Sequence, residues 1–277
     1  MIIGSDRPIW TRRHFLRIAG AGLAALTAVA PAYADTQERE DLASAFQEQG
    51  TKGAFALFDP ASGRLVTVGG KRAEARFIPA STFKIANSII ALEAGVVKDE
   101  NEIIPYGGKP QPFKQWEKDM SMREAIAISA VPIYQELARR IGLSRYGEWL
   151  EKLNYGNKQV GAVVDRFWLD GPLQTSAVEQ ARFAAALGEQ KLPASARSQT
   201  IVRDILKQEV KDGRILYAKT GWYVPKGDEQ QIGWWTGWVD DGGKISAFSL
   251  NMDMETVADA GKRMAIGKAI LGKLGVY

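Results

Sequence analysis

The spacing of hydrophobic residues changes twice along this chain, and this change constrains the fold more than any other feature. Apolar residues alternate with a period of two in segments near both ends. Such alternation is typical of β-strands with one buried face. Turn-forming residues join the strands into hairpins, as in Asp240-Asp241-Gly242-Gly243. Strands are predicted over residues 53–59, 64–68, 214–222, 232–239 and 244–252.

Helical spacing dominates the region between the two groups of strands. Gly95 is placed to end one helix, and Ser176 forms a capping-box pattern with Glu179 at the start of another. Helices are predicted over residues 41–49, 78–95, 122–129, 132–141, 146–153, 176–187, 201–210 and 259–274. The fold class is therefore α+β, an α/β sandwich. Its antiparallel sheet is built from both chain ends and flanked by helices, with an inserted all-helical lobe.

The first 34 residues have the pattern of an export signal. Paired Arg12 and Arg13 precede an apolar run, and Ala32-Tyr33-Ala34 offers small residues for a signal peptidase. The pattern indicates a cleavable twin-arginine leader over residues 1–34, and a periplasmic catalytic domain over residues 35–277. A single transmembrane anchor is the alternative, although the run is short for a span. No later segment is long and apolar enough to cross a membrane, so no stable anchor is expected.

Composition excludes several kinds of catalytic site. The chain has no cysteine, and its single histidine, His14, lies in the predicted leader. A Ser-His-Asp triad, a cysteine nucleophile and a typical zinc site are excluded from the mature protein. Removing the leader's four arginines and one aspartate leaves 32 basic and 31 acidic residues. This balance gives no reason to expect nucleic acid as a partner, and no metal is expected.

Ser81 and Lys84 form the chain's only Ser-x-x-Lys sequence. Ser81 lies near the start of a predicted helix, where free backbone N–H groups favour negative charge. Three residues are almost one helical turn, so the Lys84 amine can lie beside the Ser81 hydroxyl. Lysine acts as a base only when its surroundings keep it neutral, which apolar neighbours favour. Taken alone, the pair also fits an ordinary helix start with a surface lysine.

Three further short motifs follow in order. Ser129-Ala130-Val131 lies between two predicted helices, Tyr155-Gly156-Asn157 follows a helix, and Lys219-Thr220-Gly221 lies on a predicted strand. The first could relay a proton, and the third could bind a carboxylate while its glycine lets a substrate approach the backbone. Taken alone, the three fit a helix cap, a turn and a strand end with a bulge.

Together with Phe167-Trp168-Leu169, these motifs resemble those of the class D (oxacillinase-type) serine β-lactamases. This family belongs to the penicillin-recognising serine enzymes, whose signature includes Ser-x-x-Lys and Lys-Thr-Gly. The resemblance runs from about residue 53 to the C-terminus. It implies a β-lactamase/transpeptidase-like fold and hydrolysis of the β-lactam ring of penicillin-type antibiotics, which gives antibiotic resistance.

The resemblance also implies roles for individual residues. Ser81 is the acylated nucleophile, and Lys84, carboxylated by CO2 to N6-carboxylysine, is the general base. No cofactor besides CO2 or bicarbonate is implied. Ser129 relays protons between Lys84 and Lys219, and the backbone N–H groups of Ser81 and Trp222 form the oxyanion hole. The remaining implied site residues are Trp168, which holds the carbamate, Val131 and Leu169, which line the pocket, and Thr220, Gly221 and Arg263, which bind substrate with Lys219.

For some of these residue roles, another residue of the chain is an alternative. Lys262 could replace its neighbour Arg263 as the carboxylate-binding cation. Tyr155 and Asn157 match a family motif as structural or binding residues, not as the base. An acidic residue activates the deacylating water in class A enzymes. The acidic candidates in this chain are Asp165, Asp170 and Glu179, but the capping box explains Glu179 and a polar loop explains the two aspartates. Asp165 or Asp170 becomes a candidate base only if Lys84 is not carboxylated.

Two other functions stay open. A penicillin-binding peptidase usually has asparagine or cysteine where this chain has Val131. A sensor that stays acylated by β-lactams needs a membrane anchor, which a cleaved leader does not provide. The loop over residues 222–231 is expected to border the cleft, with Trp116 on the other side. A small β-lactam is the expected partner, and the sequence fits either a monomer or a homodimer.

Overall fold

The computed structural model describes residues 36–277. The predicted leader and His14 lie outside the described residues. The strands are Thr36–Glu38 (β1), Gly53–Asp59 (β2), Arg64–Val68 (β3), Ile103–Ile104 (β4), Met120–Ser121 (β5), Lys207–Lys211 (β6), Arg214–Tyr223 (β7), Gln231–Asp241 (β8) and Lys244–Met254 (β9). The α-helices are Ser44–Gln47 (α1), Lys84–Glu93 (α2), Met122–Ala127 (α3), Val131–Ile141 (α4), Leu143–Lys152 (α5), Ala177–Gly188 (α6), Ala196–Leu206 (α7) and Lys262–Lys273 (α8).

One sheet joins the two ends of the chain. Its strand order is β1-β3-β2-β9-β8-β7-β6, so the early hairpin β2–β3 pairs with the late strand β9. Neighbouring strands are antiparallel apart from the short β1, which runs parallel to β3. The predicted α+β class and the sheet built from both ends are confirmed.

The sheet is covered on both faces because its central strands are apolar on both sides. Trp234 and Trp235 are consecutive on β8 and therefore point to opposite faces. Trp235 packs in the cluster that includes Ile266 and Ile270 of α8, and Trp234 packs in the cluster that includes Ala177 of α6. The Trp234 indole Nε1 also donates a 2.9 Å hydrogen bond to the carbonyl oxygen of Ile78. This bond fixes the chain just before Ser81.

The inserted lobe is built around α2. Every residue from Lys84 to Leu92 is buried, and the apolar ones share a cluster with side chains of α3, α4, α5 and α7. The lobe also contains a two-stranded ribbon, in which Ile103 of β4 pairs with Ser121 of β5. The sequence pattern did not indicate this ribbon. Because α2 crosses the middle of the lobe, a polar residue at its start is removed from water.

The predicted helix over residues 201–210 is wrong in its second half. The helix α7 begins earlier, at Ala196, and ends at Leu206, after which residues 207–211 form the edge strand β6. Asp212 and Gly213 both have positive φ, at 50° and 79°, and they close a tight hairpin to β7. An Asp-Gly pair is a strong hairpin signal. Here the pairing with β7 outweighs the helical spacing of the preceding residues.

The described part of the chain contains no helix with the length and apolar character needed to span a bilayer.

A substitution at Gly237 tests how closely the central strands pack. A Cβ atom at this position of β8 would collide with the carbonyl oxygen of Tyr217 and with Ala218 on β7. We expect Gly237→Ala to destabilise the protein by about 1–3 kcal/mol, because the strands must move apart. Thermal unfolding should show a fall in Tm of roughly 2–4 °C per kcal/mol.

Gly261→Ala is the matched control, because a Cβ there meets no atom within 4 Å and its φ of −71° suits any residue. An unchanged Tm in Gly237→Ala would show that the strands accommodate the methyl group.

Candidate active site

Ser81 lies in a 3₁₀ turn, Ala80–Phe83, that leads directly into α2. The turn begins with a strained backbone, because Ala80 has a φ of 48° although it is not glycine. Thr82 stabilises the turn by donating its hydroxyl to the carbonyl oxygen of Pro79 at 2.7 Å. The half-buried Ser81 side chain thereby lies at the wall of a cleft, while the residues on either side of it are buried.

Lys84 follows Ser81 by three residues and is completely buried. Its Nζ atom lies 2.9 Å from the Ser81 Oγ atom, within hydrogen-bonding distance. Removal from water lowers the pKa of the Lys84 amine well below its ordinary value, and the nearby charge of Lys219 lowers it further. A neutral amine at this distance can accept the proton of the serine hydroxyl.

Aromatic side chains surround the start of α2. Phe83 contacts Tyr155, Phe167 and Trp168, with ring centroids 5.3 to 5.6 Å apart. The indole Nε1 of Trp168 is buried and finds no hydrogen-bond acceptor among residues 36–277. Buried donors are nearly always paired in proteins, so this N–H is available to an acceptor that binds beside α2.

Ser129 occupies the short connection between α3 and α4. Its φ of 59° is unusual for a serine and turns the chain sharply before Val131 begins α4. Ser129 and Val131 both line the cleft. Trp116 faces the same cleft and is held by its Nε1, which donates to the carbonyl oxygen of Ile128 at 3.1 Å.

The cleft has a volume of about 470 Å³ and lies between the lobe and β7. It brings together nine of the residues that the sequence indicated. These are Ser81, Trp116, Ser129, Val131, Leu169, Thr220, Gly221, Trp222 and Arg263. The side chains of Lys84, Trp168 and Lys219 are buried and do not form its surface. The segment predicted as a loop over residues 222–231 borders it through Trp222, which the structure places near the end of β7, and through Val224, which follows the strand.

Arg263, and not Lys262, faces the cleft. The guanidinium of Arg263 donates from Nη1 to the carbonyl oxygen of Gly221 at 2.6 Å, and from Nε to that of Ala260 at 2.8 Å. Lys262 instead pairs with Asp259 at 2.8 Å and lines a separate depression. Arg263 is therefore the cation that a substrate in the cleft can meet.

Lys219 lies on β7 with 6% of its surface exposed, and its Nζ donates to the carbonyl oxygen of Thr220 at 3.0 Å. Burial lowers the pKa of the Lys219 amine to about 7, and the charge of Arg263 contributes in the same direction. Burial also lowers the pKa of Arg263 to about 10. The described residues that line the cleft include no carboxylate to balance these charges, so the cleft attracts an anion.

The Tyr155-Gly156-Asn157 motif lies outside the cleft and holds a neighbouring loop. Asn157 donates from Nδ2 to the carbonyl oxygen of Pro172 at 2.8 Å and accepts from the Gln174 N–H at 3.0 Å. Gly156 has a φ of 53°, and a Cβ there would collide with the Gln174 carbonyl. The motif therefore fixes the chain that follows Phe167-Trp168-Leu169.

The acidic candidates are engaged elsewhere. Asp165 pairs with Arg139 at 2.7 Å, and Asp170 pairs with Arg166 and Lys226. Glu179 completes the capping box of α6, accepting from the Ser176 N–H at 2.9 Å, and also pairs with Arg76. None of the three lines the cleft.

Sequence reasoning missed part of the cleft wall. Phe113 lines the cleft and packs against Trp116 with ring centroids 4.7 Å apart. It is 46% exposed, which is unusual for a phenylalanine. The sequence did contain a signal for this part of the cleft wall. It is the pair of aromatic residues, three positions apart, in the polar segment around residues 109–118. The other cleft-lining residues that the sequence did not single out are Pro112, Gln115 and Ile128.

Comparison with known proteins agrees with the resemblance that the sequence motifs showed. The family described as "Penicillin binding protein transpeptidase domain" matches residues 53–272. Beta-lactamase OXA-5 of Pseudomonas aeruginosa is 39% identical over 233 residues, which cover 83% of this chain and 87% of the relative. Beta-lactamase OXA-48 of Klebsiella pneumoniae is 40% identical over 235 residues, which cover 85% and 88%.

A solved structure is similar throughout the described domain. The crystal structure of FUS-1 (OXA-85), a class D beta-lactamase from Fusobacterium nucleatum subsp. polymorphum, matches with a TM-score of 0.83 and 38% sequence identity. The match covers 87% of this chain and 99% of that chain.

The lowered pKa of Lys219 predicts a pH-dependent cost to stability. The ordinary pKa is 10.5 and the folded value is about 7, so between these values the unfolded chain binds a proton that the folded chain does not. Stability then rises with pH, by at most about 1.4 kcal/mol per pH unit from this group. Below pH 7 the full cost of burying the charge is present.

We therefore expect Lys219→Met to stabilise the protein, most at pH 7 and below, with the gain shrinking as the pH approaches 10. Urea unfolding at a series of pH values measures this. The exposed Lys244→Met is the control and should show no such slope. A gain that is constant with pH would mean that the buried amine does not titrate in this range.

Proposed function

The chain belongs to the class D β-lactamases, and from this premise we propose how its cleft opens a β-lactam ring. As a member of this family the protein is a serine hydrolase that hydrolyses β-lactams and gives antibiotic resistance. The observation that carries the proposal is the 2.9 Å separation of the Ser81 Oγ atom from the buried Nζ atom of Lys84. A serine hydroxyl is a weak nucleophile until an adjacent base takes its proton, and the Lys84 side chain is placed to do so.

Acylation begins with loss of the Ser81 proton to the Lys84 side chain. The Oγ atom bonds to the lactam carbonyl carbon, whose oxygen becomes negatively charged. The C–N bond of the ring then breaks, and the leaving nitrogen takes up a proton by way of Ser129. Support for this relay is that Ser129 lines the same cleft as Ser81. The product is an ester between Ser81 and the opened drug.

The negatively charged oxygen is bound by the backbone N–H groups of Ser81 and Trp222. This assignment is supported by the close packing of β7 on the serine turn. A Cβ at Gly221 would come within 3.0 Å of the Pro79 carbonyl oxygen and 3.1 Å of Thr82. The glycine therefore lets β7 lie against the turn, so that the two N–H groups can converge on one oxygen.

The carboxylate of a penicillin binds at Lys219, Thr220 and Arg263. The hydrogen bonds from Arg263 to backbone carbonyls hold its guanidinium at the cleft wall. The buried Lys219 adds positive charge behind this wall, and the Thr220 hydroxyl adds a neutral donor. A small anionic drug is the substrate class that fits this charge distribution.

We propose further that Lys84 carries a carboxyl group derived from CO2. The buried residues fit this modification, because only a neutral amine adds CO2 and burial keeps Lys84 neutral. The unpaired N–H of Trp168 offers a hydrogen bond to the new carboxyl group, and Val131 and Leu169 restrict access of water. When present, the group supplies a carboxylate-type base for acylation and for activation of the deacylating water. The ion pairs of Asp165 and Asp170 leave no other described carboxylate at the cleft.

We also propose that the protein is exported to the periplasm by the twin-arginine route. The support is the sequence of residues 1–34, with its Arg-Arg pair and its Ala-x-Ala site. Export would deliver the enzyme to the compartment that penicillins enter first.

Ser81→Ala should abolish hydrolysis of benzylpenicillin and leave the fold and drug binding largely intact. The expected loss is on the order of 10³-fold or more, because the variant lacks the atom that is acylated. Steady-state hydrolysis, with circular dichroism as the control for folding, measures this. Turnover that survives in pure protein would end the serine mechanism.

Lys84→Ala should block deacylation, so that any acyl-enzyme formed accumulates. Mass spectrometry after incubation with benzylpenicillin then shows the protein plus one drug. Normal turnover in this variant would remove Lys84 from the mechanism.

Trp168→Phe should raise the bicarbonate concentration needed for half-maximal activity by on the order of tenfold, because one charge-assisted hydrogen bond to the carboxyl group is lost. The phenylalanine keeps most of the packing against Phe83. Titration of bicarbonate into CO2-depleted enzyme measures the effect. Trp238→Phe changes another buried indole whose N–H has no partner in the described chain and serves as the control. An equal shift in both variants would assign the effect to packing.

A further inference from the structure

A buried hydroxyl pair lies behind the Lys84 side chain. Ser88 is one helical turn after Lys84 on α2, and its Oγ donates to the Lys84 carbonyl oxygen at 2.8 Å. The Ser88 Oγ also lies 2.8 Å from the hydroxyl oxygen of Tyr134 on α4. A serine hydroxyl has one hydrogen, which is already donated to the carbonyl, so Tyr134 is the donor to Ser88. This chain of hydrogen bonds ties the tyrosine to the turn of helix that carries Lys84.

The ring of Tyr134 faces the Lys84 amine. The Nζ atom lies over the ring, 5.1 Å from its centroid, and both residues are completely buried. The face of an aromatic ring is electron-rich, so it attracts a cation and repels an anion. This attraction is larger where water is excluded.

The ring opposes the other influences on Lys84. Burial and the charge of Lys219 both favour the neutral amine. The ring face favours the ammonium form. Carboxylation uses up the neutral amine: the nitrogen bonds to the carbon of CO2 and releases one proton, which leaves a group with one negative charge. An electron-rich face disfavours both the loss of the ammonium form and the new negative charge.

We propose that Tyr134, held by Ser88, is a positioning residue that limits the carboxylation of Lys84 and thereby makes the activity dependent on the supply of CO2. The inference rests on the proposed carboxylated base. Tyr134 and Ser88, which lie outside the cleft, would then control what fraction of the enzyme is carboxylated and active.

Fluorination of the ring tests this without changing its size substantially. Tyr134→Phe is the reference, and phenylalanines that carry one, two or three fluorine atoms are incorporated at the same position. Each fluorine withdraws electron density from the ring face. We expect the half-saturating bicarbonate concentration to fall at each step, by on the order of tenfold over the series. Hydrolysis of benzylpenicillin by CO2-depleted enzyme and the NMR signal of a carbamate formed from ¹³C-bicarbonate are the two readouts.

The same series at Tyr146 is the matched control. Tyr146 is equally buried, donates to the Asn87 side chain at 2.7 Å, and packs on Phe83. Its fluorination should leave the bicarbonate requirement unchanged. An effect of the same size at both positions would assign the change to packing and overturn the inference.

The remaining outcomes separate the two proposals. If the labelled carbamate forms but its bicarbonate dependence is flat or rises along the Tyr134 series, the role of the ring is wrong while the carboxylated base stands. If no labelled carbamate forms in the unchanged protein, both are overturned.

Discussion

The rest of the structure is arranged around Lys84, a buried lysine that lies beside the Ser81 hydroxyl. Lys84 has no carboxylate partner in the described part of the chain. Lys84 is the kind of residue that proteins almost never bury unpaired, because an isolated charge is costly in an apolar interior. The cost is avoided when the amine loses its proton, and the neutral amine, 2.9 Å from Ser81, is the form that can take up CO2 to give the proposed base. The same desolvation that would destabilise an ammonium ion therefore prepares Lys84 to activate the serine.

The fold supplies this environment from several distant parts of the chain. The lobe surrounds α2, so its first residue is buried, and Trp234 of the sheet anchors the segment just before Ser81. Strand β7 closes the other side and brings Lys219 and Gly221 against the serine turn. Ser81 thus lies where the helical lobe meets the sheet. A substrate in the cleft can reach the Ser81 hydroxyl, whereas the Lys84 side chain is buried behind it.

The contiguous motifs could be predicted from the sequence, because Ser81-x-x-Lys84 and Lys219-Thr220-Gly221 each carry their chemistry within one turn or strand. The class of fold followed from the change in hydrophobic period. The edge strand over residues 207–211 is predicted as part of a helix because helical spacing continues into it, although the Asp-Gly pair after it signals a hairpin to β7. The contacts of Asn157 to residues 172–174 and of Tyr134 to Ser88 join segments far apart in the chain, so spacing alone does not reveal them.

The carboxylated base is tested most directly by hydrolysis of benzylpenicillin and oxacillin by the mature protein in CO2-depleted buffer, before and after bicarbonate is added. We expect turnover to be low without CO2 and to rise with bicarbonate, together with a ¹³C carbamate signal that is missing in Lys84→Ala. Full turnover in depleted buffer, with no carbamate signal at any bicarbonate concentration, would contradict it. The base would then be the unmodified Lys84 amine or a group outside the described cleft.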